Sequence, residues 1–204
     1  MEVNMPKKKS YHHGDLKNAL IKAGVEILAK DGVSGLSLRK VAKRVGVSHA
    51  APYAHFVDKQ ALIAAISTEG FRQLYEQVNE VAEKYKSQPA KQMVEAAWTY
   101  VQFALDDRDR FKVMFSGVLE KEKDYPEFVA EAHRNFQLVK TIIEANQAAG
   151  VLRSGPSDLA ALSAWGSIHG FIMLLLEGQI SRTILNRASL RKLVEFQLGQ
   201  IMVK

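Results

Sequence analysis

Residues 46–56, GVSHAAPYAHF, crowd Ser48, His49, Tyr53 and His55 around two adjacent alanines and a proline, and Lys59 follows shortly after. Side chains of these types can serve an enzyme loop, ligate a metal, or donate hydrogen bonds to nucleic acid. The first two chemistries need companions, and the chain lacks them. It has no cysteine, which removes a thiol nucleophile, a disulfide and a Cys-ligated zinc site. There is no Glu-x-x-His pair for a di-iron bundle, no His-Glu-x-x-His zinc motif, no Gly-x-Ser-x-Gly elbow and no Gly-rich phosphate loop. GSIHG at 166–170 has its serine one place early. No catalytic residue, metal ligand or cofactor is assigned, and the chain is read as not an enzyme.

The distribution of charge favours the third chemistry. Residues 1–60 hold eleven Lys/Arg against five Asp/Glu, a net of +6, whereas residues 61–204 hold seventeen of each. All of the excess positive charge thus sits in the first 60 residues, the pattern of a polyanion-binding module carried by a neutral partner unit. The start MEVNMPKKKSYHH has no apolar stretch after its lysines, and the longest apolar run, FIMLLL at 171–176, is too short to span a bilayer. A soluble cytoplasmic protein without a membrane segment is expected.

Helical periodicity runs through nearly the whole chain, with no convincing alternation of period two. DLKNALIKAGVEILAKDG puts Leu16, Leu20, Ala23, Ile27 and Leu28 on one stripe and stops at Gly32. SLRKVAKRVG starts with an N-cap at Ser37, buries Leu38, Val41, Ala42 and Val45, and stops at Gly46. A third short helix is expected from Ser48, then a long one from Lys59 to about Tyr85. Further helices are expected over roughly 90–106, 109–118, 126–149, 157–182 and 189–203, punctuated by SQP, YP, GVLRSGPS and NRAS. The fold class is all-α: an N-terminal three-helix helix-turn-helix unit, residues 1–60, joined by the long helix to a C-terminal helical bundle, residues 61–204.

A helix ending in Gly46, a three-residue turn and a second short helix form a helix-turn-helix, whose second helix places its first turn against base edges in the major groove. Ser48 is expected to cap that helix, with His49, Ala50 and Ala51 on the reading turn; small alanines allow close approach, and a methyl can touch thymine. Tyr53, His55 and Lys59 then sit where a hydroxyl, an imidazole and an ammonium reach phosphates. Phe56 is read as the apolar plug of the unit. Of the basic residues on the preceding helix, Lys40, Lys43 and Arg44 read as a solvated face. Arg39, nearest the helix start beside Ser37, is carried with Ser37 as a DNA contact. The run PKKKSYHHGD at 6–15, with His12 and His13, reads equally as a solvated tail or as a basic arm reaching DNA.

Residues 16–62 resemble the DNA-binding domain of the tetracycline-repressor (TetR) family of bacterial transcription regulators. Ala23, Leu28, Gly32, Leu36, Ser37, Val41, Ala42, GVS at 46–48, YAHF at 53–56, Lys59 and Leu62 carry the resemblance. The family's usual Thr is Ser at 37, its usual aliphatic residue before the tyrosine is Pro52, and its usual larger residue between Tyr and His is Ala54. AWGSIHGFIMLLLEG, with Trp165, His169 and Gly170, resembles a Trp-His-Gly C-terminal domain found in one branch of that family. What the resemblance implies is a homodimer on a near-palindromic double-stranded operator. It also implies a small-molecule inducer site within 70–204, and a regulator whose repression is relieved by that ligand.

Within the bundle Trp98, Gln102, Phe111, Phe115, Trp165, His169 and Met173 are the candidate ligand-binding residues, although aromatic residues at helical spacing are commonly plain core. Trp165 and His169, one turn apart, would set a polar group in an apolar cavity, and the expected inducer is apolar or aromatic. Ser163, Gly166, Ser167 and Gly170 form a small-residue ridge suited to internal or dimer packing. Two rival readings remain: a non-specific architectural DNA-binding protein, and a helical-bundle enzyme.

Overall fold

Capping chemistry sets the first elements. In the computed structural model, which describes residues 13–117, 119 and 122–203, α1 spans His13–Gly35 and kinks at Gly32, where φ is 67°. The expected basic arm, His12 included, lies outside the described residues up to residue 12, and His13 opens α1. Helix α2 spans Leu38–Val45; the Ser37 side chain accepts from the Lys40 amide at 3.2 Å, as the sequence signal requires. It ends at Gly46 with φ 80°, a left-handed turn that a side chain would strain, and both the Gly46 and Val47 amides donate to the Ala42 carbonyl at 3.0 Å. Leu38, Val41 and Ala42 are buried on α1 while Arg39, Lys40, Lys43 and Arg44 face out. Exposed pairs Arg44–Glu26 (2.7 Å) and Lys40–Asp31 (3.5 Å) add at most about 1 kcal/mol each.

The expected third helix from Ser48 is corrected. The chain turns through His49 and Ala50 and then forms only a four-residue 3₁₀ turn, Ala51–Ala54, with Ala50 at its N-cap and no side-chain cap. Pro52 is the cause. An α-helix begun at Ser48 would have its first amide donor at residue 52, which proline lacks, and the ring would press on the Ser48 carbonyl. That carbonyl instead accepts from Ala51 at 3.0 Å, and the Pro52 carbonyl accepts from His55 and Phe56, both at 2.9 Å. Pro52 and Phe56 are buried and close the unit.

Helix α3 runs Lys59–Lys84, capped by the Asp58 carboxylate, which accepts from the Ala61 amide at 2.8 Å. Its 26 residues make a rod of about 39 Å. Leu62, Ile63 and Ile66 are fully or almost fully buried, and each such side chain contributes about 1.5–3 kcal/mol. Beyond α3 lie α4 (Pro89–Asp106), α5 (Arg108–Met114), a 3₁₀ turn (Glu122–Asp124), α6 (Pro126–Ala148), α7 (Ser157–Leu176), α8 (Arg182–Leu185) and α9 (Leu190–Gly199). The expected helix 157–182 breaks after Leu176, because Gly178 takes φ 65° and Ser181 caps the short α8. The expected 109–118 helix ends at Met114. Among the described residues there is no strand, only an isolated bridge between Leu152 and Met202.

Helix α3 packs against α1, α4, α5 and α6, and α7 and α9 close the bundle over α4. Buried apolar residues from Leu20 to Leu198 form one continuous cluster, so α3 supplies core to both units. Helix α7 departs from the sequence expectation in another respect. Although its longest unbroken apolar run is short, the helix contains an 18-residue stretch of mean hydropathy 1.8 and is long and apolar enough to cross a membrane, with only 28% of that stretch buried.

Candidate nucleic-acid interface and ligand cavity

The cap of α2, the 3₁₀ turn and the start of α3 converge on a hollow of about 300 Å³ lined by Leu36, Ser37, Leu38, Arg39, Tyr53, Val57, Asp58 and Lys59. Four of the nine expected DNA-contacting residues therefore share one concavity: Ser37, Arg39, Tyr53 and Lys59. Two helix N-termini, with their outward amide dipoles, open into it. Asp58 caps α3 there and adds a negative charge, which Arg39 and Lys59 offset. The Ser37 Oγ accepts from α2, so its hydroxyl proton is free to donate. Tyr53 is 53% exposed, and Lys59 reaches back to the Val33 carbonyl at 3.5 Å. Beside the hollow, Ser48, His49 and Ala50 are exposed and Ala51 half-exposed.

His55 is placed differently from the rest. It is half-buried with its ring centroid 6.3 Å from that of Phe56, and its Nε2 is sealed from solvent. The structure therefore does not offer that atom to a phosphate. Val57 was missed by sequence reasoning; it is 81% exposed at the rim. An exposed valine between a buried Phe56 and a helix cap is the signal that marks it.

The second site is a cavity of about 390 Å³ between α3, α4, α6 and α7, bordered by the C-terminal end of α5. Its wall includes Phe71, Leu74 and Val78 of α3, Met93, Ala96 and Tyr100 of α4, Phe128, Asn135 and Phe136 of α6, and Ile168 of α7. Among the expected ligand residues, Phe115 and Trp165 line it. Phe111 is fully buried behind Phe115, ring centroids 4.8 Å apart. His169 also lies behind the wall, 4.6 Å from Phe115 between centroids, and its Nδ1 is 2.8 Å from the Tyr100 hydroxyl. Trp165 Nε1 donates to that same hydroxyl at 3.2 Å. With Tyr100 donating to Nδ1, the His169 proton resides on Nε2. Burial pushes the Tyr100 phenol well above its usual range and lowers the His169 pKa, so the triad is neutral.

Trp98, Gln102 and Met173 do not line the cavity. The stripe of α4 that faces it is Met93, Ala96, Ala97 and Tyr100. Trp98 and Gln102 each lie two residues, about 200°, beyond a member of that stripe. Trp98 is half-buried beneath Arg191 of α9, whose guanidinium is 5.9 Å from its ring centroid. Arg191 also pairs with Glu95 at 2.6 Å and Glu195 at 3.1 Å. Gln102 faces solvent and Met173 is half-buried on α7. Tyr100 and Asn135 were not among the expected residues. For Tyr100 the apolar stripe of α4 carried the signal; for Asn135 none existed, because its role depends on α6 meeting α3.

Helix α7 presents a bare face. Leu159 (63% exposed), Leu162 (53%) and Leu174 (47%) flank exposed Ser163, Gly166, Ser167 and Gly170, and Phe196 of α9 is 68% exposed.

Residues 20–66 match the bacterial regulatory protein model of the tetR family, and residues 93–198 match a tetracyclin repressor-like C-terminal domain. The chain is 44% identical over 50 residues to the class A tetracycline repressor protein from transposon 1721 in Escherichia coli, covering 24% of this chain and 23% of that one. It spans about half or less of the length of the curated relatives it matches. A Rhodococcus sp. RHA1 protein of unknown function superposes with TM-score 0.77 and 33% identity over 95% of this chain and 97% of its own. The regulator FadR of Bacillus subtilis, solved with stearoyl-CoA, superposes with TM-score 0.74 at 18% identity over 90% and 96% of the two chains. With both units matched in order by the same family, the chain belongs to the TetR family of bacterial regulatory proteins, which are helix-turn-helix transcriptional regulators.

Proposed function

We propose that this chain is a ligand-responsive repressor that works in the cytoplasm as a homodimer on a near-palindromic operator. In this reading, residues 1–60 read DNA and residues 61–204 bind ligand and dimerise. The observation that carries the proposal is that a single helix serves both sites. Helix α3 begins at Lys59 in the cationic hollow and, twelve residues or about 18 Å later, lines the cavity with Phe71. A ligand wedged between Phe71, Phe115 and Trp165 tilts α3 and alters the separation of two reading surfaces whose half-sites on duplex DNA have a fixed spacing. The ligand binds the conformer that does not fit DNA, so by linkage DNA weakens ligand binding by the same factor.

Ser37, Arg39, Tyr53 and Lys59 hold phosphates, while Ser48, His49, Ala50 and Ala51 face base edges; His55 serves the packing of Phe56. The ligand is apolar or aromatic, because the wall is built from aromatic and aliphatic side chains. The bare face of α7, continued by Phe196, pairs with its symmetry mate: its leucines border a flat serine and glycine ridge that admits close helix approach. Such a face also accounts for the high hydropathy of α7 without a bilayer. The test is selection of bound duplexes from random DNA by the purified full chain, with its mass read by light scattering. Enrichment of an inverted repeat by a dimer supports the proposal. A monomer at micromolar concentration, or binding with no preferred site, overturns it.

A further inference from the structure

One polar side chain in the cavity wall has its hydrogen-bonding roles dictated by its neighbours. Asn135 on α6 donates from Nδ2 to the Phe71 carbonyl of α3 at 2.8 Å and to the Glu131 carbonyl at 2.9 Å. Both partners are carbonyl oxygens, which only accept, so the amide nitrogen faces them and the orientation of the carboxamide is settled. Its Oδ1 is left with its lone pairs unused among the described residues, on a half-buried side chain that lines the cavity. Tyr100, the wall's hydroxyl, differs: it accepts from Trp165 and donates to His169. The remaining polar side chain of the wall is Glu122, an exposed carboxylate. Among the described residues no lysine, arginine or histidine lines the cavity.

We infer that the cavity takes an uncharged apolar or aromatic molecule carrying a hydroxyl or N–H donor, seated on Asn135 Oδ1, and that it rejects carboxylates and phosphate esters. The inference rests on the proposed reading of the cavity as the effector site. A donor pairs with an acceptor whose lone pairs are otherwise unused at the wall of an apolar cavity, whereas an acceptor-only head sets oxygen against oxygen. An anionic head leaves water for a wall that offers an amide oxygen and a carboxylate and, among the described residues, no counter-charge. The donor also lands on the carboxamide that braces α3 at Phe71, which ties recognition of the ligand to the helix that starts in the DNA-reading hollow.

The test uses three probes of one ring system: 4-phenylphenol, 4-methoxybiphenyl and biphenyl-4-carboxylate. They are titrated into the full-length Trp98→Phe protein, where Trp165 is the remaining tryptophan and reports occupancy by fluorescence. The phenol is expected to bind roughly tenfold tighter than the ether, the upper end for one hydrogen bond, with the carboxylate weakest. Asn135→Leu should abolish the advantage of the phenol, so that phenol and ether bind alike. Should Asn135→Leu not fold, Asn135→Ser takes its place, since its hydroxyl can bond the Glu131 carbonyl one turn back. Equal binding of phenol and ether, an advantage that survives both substitutions, or a carboxylate that binds tightest overturns the inference while leaving the cavity an effector site. If no probe changes Trp165 emission, the effector reading falls and the inference with it.

Discussion

The hollow at the start of α3 and the cavity further along the same helix are built on opposite principles. Eight residues between Leu36 and Lys59 line the hollow, and it is charged and open to water. The cavity is lined by residues from Phe71 to Leu198, drawn from six helices and their connections, and its wall is almost wholly apolar. A substitution at Arg39, Tyr53 or Lys59 in the first removes a side chain that is neither a helix cap nor core, whereas Leu36 and Leu38 beside them are buried and Ser37 and Asp58 cap helices. In the second the same groups that would meet a ligand also hold the helices together. The recognition and stability roles of a residue separate at Arg39, Tyr53 and Lys59 of the hollow and merge in the cavity.

That contrast is most easily broken by Phe111→Ala. Phe111 is fully buried and stacks behind the cavity wall against Phe115, Tyr100 and His169. Its truncation is expected to cost about 3–5 kcal/mol in denaturant unfolding, through lost transfer energy and the void left behind. Tyr53→Ala, at an exposed site, should change stability by no more than about 0.5 kcal/mol and yet weaken binding to every duplex. A large stability loss at Tyr53 would show that the hollow is structural after all.

Lys59→Ala is expected to weaken binding by a similar factor for all sequences and to lower the salt slope by roughly one unit. His49→Ala should instead relax base preference at one or two positions of each half-site. Selection profiles identical to those of the unsubstituted protein would take His49 off the reading surface.

A smaller effect sharpens the cavity side. The His169 pKa is lowered by burial, so the folded state holds its neutral form, which accepts from Tyr100. The stabilisation is present above about pH 6.5, the ordinary histidine value, and is lost as pH falls from there through the lowered folded value. The melting temperature should therefore drop on acidification below about pH 6.5, and His169→Gln should flatten part of that drop. An unchanged pH profile would mean that His169 is not held neutral. The smallest expected effect is that of Gln102→Ala, on the solvent face of α4, which should leave both ligand response and stability within about 0.5 kcal/mol of the original.

Signals that act within a few residues were legible before any fold was known. Ser37 as a cap, Gly46 as a stop, and a long helix from Lys59 all follow from local backbone chemistry, and the structure has them at the expected positions. Pro52 was equally local, and its missing amide donor is enough to shrink the helix expected from Ser48 to a 3₁₀ turn. Gly178 was a local break as well, inside a stretch whose apolar character masked it. Trp98 and Gln102 show the limit of composition: aromatic or polar identity says nothing of which side of α4 faces the cavity, although the phase of its apolar stripe does.

By itself the sequence determined an all-helical chain with a basic helix-turn-helix front and a neutral apolar remainder, because charge placement, caps and 3.6-residue periodicity are properties of neighbouring residues. Only the tertiary structure decided that Asn135 spends its amide on α3, that Tyr100 joins Trp165 to His169, and that α7 leaves one face bare. Those facts depend on the rotation and crossing of helices distant in the chain. Such rotation and crossing are set by how side chains from several helices fill one common volume, which periodicity within a single helix does not specify.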